Sequence, residues 1–148
     1  MKRIGKILVV SRSTKHCRQA VHFGISLARF YKAKLHVLHV VHDPLHLDGW
    51  NIIVPSIHEE YIEMMETYKK ELHHIIEAEK GQDIIEITEE VREGEPVKEI
   101  MHTVESEGID LLVMLAHEEG RLEHFLFGRT NEAILRKMPC SVLLVKRS

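Results

Sequence analysis

The sequence predicts an α/β protein, a parallel sheet covered by helices on both faces. Two observations carry this. Short apolar runs rich in branched residues, such as Ile7 to Val10 and "DLLVML" from Asp110, read as buried strands. Stretches with apolar residues at helical spacing lie between them, giving the order βαβαβαβαβ. Strands joined through helices close as right-handed crossovers, so they run parallel. A chain of 148 residues has the size of one domain, so 1–148 reads as a single unit. That length buries a core without disulfides or structural metal.

Each element has its own warrant. Ile7 to Val10 is strand one. Ala20, Gly24, Leu27 and Tyr31, with Val21 and Ala28 beside them, form the buried face of helix one. "LHVLHVV" from Leu35 to Val41 is strand two. His42 to Pro55 is a polar loop that holds Trp50. Ser56 and Glu59 make an S-x-x-E capping box ahead of a long helix. Tyr61, Met64, Met65, Tyr68, Leu72, Ile75 and Ile76 form its apolar face, and Gly81 ends it. From Ile84, Ile85, Ile87 and Val91 alternate with acids, which predicts a strand with one wet face at a sheet edge. Pro96 suits the first turn of helix three. Val97, Ile100, Met101 and Val104 are its core face, and Gly108 is its stop. The fourth helix is placed after Gly128, with Ala133, Ile134 and Met138 inward and Pro139 blocking its continuation. "SVLLV" is the final strand.

Composition excludes several classes. A net charge of -3 gives no general attraction to nucleic acid or anionic membrane. The apolar run after Lys2, Arg3 and Lys6 is too short for a signal-peptide core or a membrane helix, so a cytoplasmic protein is expected. Cys17 and Cys140 form no CxxC pair and read as free thiols. Twelve histidines make net charge sensitive to mild acid.

Metal and nucleophile signals are weak. His36 and His39 are three apart on a strand and point to opposite faces. His42, His46 and Asp48 in the loop offer at most a weak zinc trap. His73 and His74 diverge by about 100° on a helix. No metal site is expected. Ser13 or Thr14 reads as a helix N-cap rather than a nucleophile, Met64 and Met65 as core, and no catalytic set stands out.

Several strings converge on one family. "KILVV" followed by Ser11 and Ser13, "LHVV", "VREGEPVKEI", "DLLVM", "LEHFLFG" and "MPCSVLLV" occur in this order along nearly the whole chain. In them the chain resembles the universal stress protein (UspA-like) family. The resemblance implies a Rossmann-like, adenine nucleotide alpha hydrolase-like three-layer sandwich with a five-stranded parallel sheet in the order 3-2-1-4-5. His39 sits where the family commonly has histidine. Ligands in such a sheet bind beyond the carboxyl ends of the strands, where the order reverses.

The family divides into members that bind ATP and members that do not. Binders carry a glycine, two residues, a glycine, nine residues, a glycine and then Ser or Thr after strand four. Here the first glycine position is Leu115 and the second Glu118. The third is Gly128, and the Ser/Thr position is Arg129, with Thr130 one step late. The arginine that often follows the second glycine is Glu119, and the aspartate after strand one is Ser11. A carboxylate about 5 Å from a phosphate charge costs roughly 3 kcal/mol at an effective dielectric near 20. Leu115 or Glu118 would add roughly 1–2 kcal/mol of strain wherever φ > 0 is required. Gly120-Arg121 resembles the family's Gly-Arg pair slid by two residues, and Arg129 offers a guanidinium for phosphate.

The expectation is therefore a stress-response binding or regulatory module, not an enzyme, with no cofactor and no tight ATP binding. Its rival is an ATP- or AMP-binding sensor using ATP with Mg, with contacts from Ser11, Val41, Met114, Gly120, Arg121, Gly128, Arg129 and Thr130. The apolar final strand lies at an edge in this order, and the family commonly dimerises through it. A homodimer through Ser141 to Val145 is expected, with an unidentified protein partner and neither nucleic acid nor membrane insertion.

Overall fold

The computed structural model describes residues 2–11, 14–42, 55–116 and 122–146. They form β1 (Lys6–Ser11), α1 (Thr14–Tyr31), β2 (Lys34–Val41), α2 (Pro55–Lys80), β3 (Ile87–Glu93), α3 (Pro96–Glu107), β4 (Leu111–Leu115), α4 (Leu122–Lys137) and β5 (Ser141–Val145). The sheet is parallel, with the predicted order β3-β2-β1-β4-β5.

Strand alternation sorts the core into two layers. Ile7, Val9, Leu35, Val37, Leu111 and Val113 pack with Cys17, Ala20, Val21, Ile25 and Ala28 of α1 and Leu72 and Ile76 of α2. On the other face Leu8, Val10, Leu38, Leu112 and Met114 meet Ile100 and Val104 of α3 and Ile134 of α4. Gly24 lets α1 lie close on the sheet. A β-carbon there would sit 2.2 Å from Val9 Cγ2.

Several boundaries differ from the sequence reading. α2 begins at Pro55, so Ser56 lies inside the first turn instead of capping it. Proline's fixed φ favours that first helical position. β3 starts at Ile87, and Ile84 is fully exposed. α4 starts at Leu122 and takes Gly128 into its interior. One helical glycine costs only about 1 kcal/mol, which the packing of the following turns, with Ile134 fully buried and Asn131 bonded to Leu115 O, offsets. Met138, expected inward, is 55% exposed and lies past the helix end with φ 41. Pro139 disfavours helical backbone at the residue before it and turns Met138 out. Gly81 and Gly108 stop their helices at positive φ, as expected; the Gly108 amide returns to Val104 O.

The seam between the two halves of the sheet is short. β1 aligns with β2 over its whole length, Lys6 to Ser11. It aligns with β4 only from Ile7 to Val9, opposite Leu111 to Val113. At the reversal of strand order Val10 and Ser11 have no ladder partner on β4, and the carboxyl ends of these two strands are where such a topology sets its crevice.

Candidate functional site

Ser11 and His39 are register partners at the ends of β1 and β2 and face the α1–α2 layer together. Both are buried. His39 Nδ1 lies 3.2 Å from the Ser11 hydroxyl and 3.2 Å from the Ser11 carbonyl. A carbonyl only accepts, so Nδ1 carries a proton and turns its donor on Ser11. Burial lowers the His39 pKa below the ordinary histidine range, partly offset by this backbone bond and by the charge of Glu71. Tyr68 of α2 covers the ring, with centroids 5.2 Å apart.

Cys17 closes the cluster from α1. It is a free thiol hydrogen-bonded to Ser11, and burial pushes its pKa up to about 11. A thiol held protonated so far above neutral is not a nucleophile. Cys140, also free, is likewise raised by burial.

Across the seam, Asn131 of α4 is buried and donates from Nδ2 to Leu115 O at 2.9 Å. It fixes the carboxyl end of β4, and Thr130 beside it is also buried. Leu115 pairs with Val145 and has no positive φ, so it carries no left-handed strain where ATP binders have glycine. At the end of β2, Val41 O accepts from Gly94 N at 3.1 Å, and His42 Nδ1 approaches Gly94 O at 3.3 Å.

The structure gathers some of the predicted contacts and separates others. Ser11 and Val41 lie at neighbouring strand ends. Met114 is fully buried, but its side chain faces the α3–α4 layer, away from Ser11. Thr130 is buried, whereas Arg129 is exposed on the outer face of α4. There it lines a depression with Glu132, Ala133, Arg136 and Lys137. Gly128 is helical. Gly120 and Arg121, with Glu118, Glu119, Ser13, His46 and Asp48, lie outside the described residues. His36 is half-buried on the face opposite His39. Among the described residues, no group of three or more His, Cys, Asp or Glu is placed to hold a metal, and no helix is long and apolar enough to cross a membrane.

Sequence reasoning missed the Ser11–His39–Cys17 cluster and the Asn131 clamp. One signal was available for the first. "KILVVS" and "KLHVLH" are in parallel register from Lys6 and Lys34, so their sixth residues meet on one face. For Asn131 the signal is a lone amide on the side of α4 that buries Ile134.

The comparisons agree with this architecture. A structure of a universal stress protein in complex with cAMP superposes with a TM-score of 0.73 at 17% identity, over 99% of this chain and 100% of that one. The universal stress protein from Archaeoglobus fulgidus in complex with dAMP gives 0.61 at 19%, over 99% and 100%. Universal stress protein MJ0577 of Methanocaldococcus jannaschii is 34% identical over 97 residues, which is 66% of this chain and 55% of that protein. Universal stress protein MJ0531 of the same organism is 29% identical over 147 residues, 96% of this chain and 82% of that protein. The model of the universal stress protein family matches residues 3–146, so the chain belongs to that family.

Proposed function

We propose that this protein is a stress-response binding and regulatory module that acts in the cytoplasm as a homodimer. It has no catalytic activity of its own and does not hold ATP tightly. The observation that carries this is the state of Ser11. Where ATP-binding relatives are expected to present an aspartate, this chain has a buried hydroxyl already engaged by His39 and Cys17. Arg129, the residue expected to restore phosphate attraction, lies on the outer face of α4, which supports the same reading.

The dimer uses β5. Among the described residues its outer edge is open at the end of the sheet, its sequence is "SVLLV", and Leu144 is exposed, as are Leu135 of α4 and Met138 just past it. An uncharged edge flanked by apolar side chains favours pairing with a second copy. Leu144→Lys should convert a dimeric mass to a monomeric one in sedimentation velocity; a wild-type monomer would refute the assembly.

A second reading is an adenine mononucleotide sensor, favoured by the cAMP and dAMP complexes of the two structural neighbours. Its contacts are Ser11, Val41, Met114, Gly120, Arg121, Gly128, Arg129 and Thr130. Thermal unfolding with millimolar Mg-ATP, ADP, AMP and cAMP separates the readings. A ligand at a hundred times its dissociation constant adds about 2.7 kcal/mol, which is roughly 5–10 °C for a chain of this size. No shift supports the first reading. A shift that Gly128→Trp abolishes supports the second.

A further inference from the structure

Among the described residues the sheet has a second open edge, β3, and its chemistry differs from that of β5. In the ladder with β2, Leu35 N donates to Glu86 O at 2.9 Å and Gly94 N donates to Val41 O at 3.1 Å. Parallel pairing alternates along a strand. Thr88, Glu90 and Arg92 therefore turn their amides and carbonyls toward β2. Ile87, Glu89, Val91 and Glu93 turn theirs outward, beyond the sheet.

A groove of about 350 Å³ runs between α2 and this edge, with Leu72 and Val91 as its apolar lining and Lys69, His73 and Glu89 among its walls. His73 Nδ1 lies 2.6 Å from Glu89 Oε1, which holds α2 against the strand. Charge is the third feature. Residues 84–107 contain eight acidic and two basic side chains, a net of -6 within a chain whose total is -3. Both bases are engaged, Arg92 by Glu90 and Glu99, and Lys98 by Glu95.

We propose that the β3 edge receives an extended peptide segment of alternating apolar and basic residues, added to the sheet as a further parallel or antiparallel strand. Such a strand gains the outward amides and carbonyls as partners, and its side chains alternate between faces. One set enters the groove over Leu72 and Val91, whose apolar surface favours apolar side chains. The other set lies on the α3 side beside Glu90, where the surplus of carboxylates favours it. A second copy of this chain is a poor occupant, because glutamate would oppose glutamate along the edge.

The test uses the full chain and a fluorescein-labelled, end-capped peptide of nine residues alternating valine and lysine. Anisotropy should show saturable binding, weakened at least tenfold between about 20 and 200 mM salt. A peptide with glutamate in place of lysine should bind at least tenfold more weakly. Residue-resolved amide exchange should slow at Glu89, Val91 and Glu93 on binding, with Thr88, Glu90 and Arg92 unchanged. Glu89→Pro removes an outward donor without touching the ladder to β2 and should weaken binding at least tenfold. Glu89→Ala, which loses the His73 contact as proline does but keeps the amide, should change it less than threefold. Absence of binding, equal binding of the glutamate peptide, or protection that spares the outward amides would overturn the proposal. So would protection of those amides that rises with protein concentration alone, which would assign the edge to a second copy.

Discussion

Gly24→Ala tests how closely α1 must lie on the sheet. The new β-carbon would stand 2.2 Å from Val9 Cγ2 and 3.3 Å from Leu35 Cδ1. Carbon atoms in a packed core sit about 3.5–4.0 Å apart, so Val9 and the helix must separate by more than 1 Å, roughly estimated. Val9 and Leu35 are fully buried and have nowhere to withdraw. Overpacking costs about 1–3 kcal/mol, and a 2.2 Å approach to a fully buried side chain belongs to the upper part, about 2–3 kcal/mol. Alanine returns up to about 1 kcal/mol through helix propensity. The expected net loss is about 1–2 kcal/mol. Urea unfolding followed by circular dichroism should show a midpoint lower by roughly 0.5–1 M, for a slope of about 2 kcal/mol per M. Val9→Ala in the Gly24→Ala background should recover part of the loss, a coupling expected only of residues in contact. An unchanged or raised midpoint for Gly24→Ala would refute the close approach.

Three further outcomes follow from buried and part-buried polar groups. Asn131→Ala leaves the Leu115 carbonyl without its side-chain donor and should cost about 1–3 kcal/mol in urea unfolding. Burial holds the His39 pKa below 6.5, so the unfolded chain binds the proton more readily. Its contribution is complete above the unfolded value and is lost as pH falls through the folded one; His39→Gln should show a smaller drop in melting temperature than wild type between pH 7 and 5. Lys2 and the amides of Gly5 and Lys6 hold Asp110 below the usual carboxylate range. That stability is present above the ordinary value of 3.8 and lost as pH falls further; Asp110→Asn should lower the melting temperature at pH 7 and flatten the profile below pH 4.

Most of the fold was legible in the sequence because periodicity and stop signals agreed. The seven-residue apolar face of α2 is half-buried or buried at each position, and Gly81 and Gly108 end their helices in the left-handed conformation. Legibility failed where local signals competed. "LEHFLFG" holds a glycine that reads as a boundary, yet one glycine costs too little to end a helix that packing holds on its far side. The site was legible in position and less so in content. Strand order placed a crevice at the ends of β1 and β4. It gave no indication that Ser11 would turn its hydroxyl to His39 and Cys17, because that contact joins residues from three elements. Motif alignment also brings Arg129 next to Gly128 and Thr130 without regard to rotation about the helix axis. Adjacent helical residues diverge by about 100°, which is why Thr130 is buried and Arg129 is not.

The short seam has a consequence for motion. β1, β2 and β3 form one ribbon aligned over long runs, and β4 and β5 form another aligned from Leu111 to Leu115. Ile7 to Val9 opposite Leu111 to Val113 is the strand pairing that joins the ribbons, and Asp110 ties its amino end to Gly5 and Lys6. Local opening follows the line that breaks the fewest hydrogen bonds. Both core layers cross the seam and hold the ribbons together, so opening is expected to start only at the carboxyl ends of β1 and β4, and a ligand that bridges them there should slow amide exchange most at the seam.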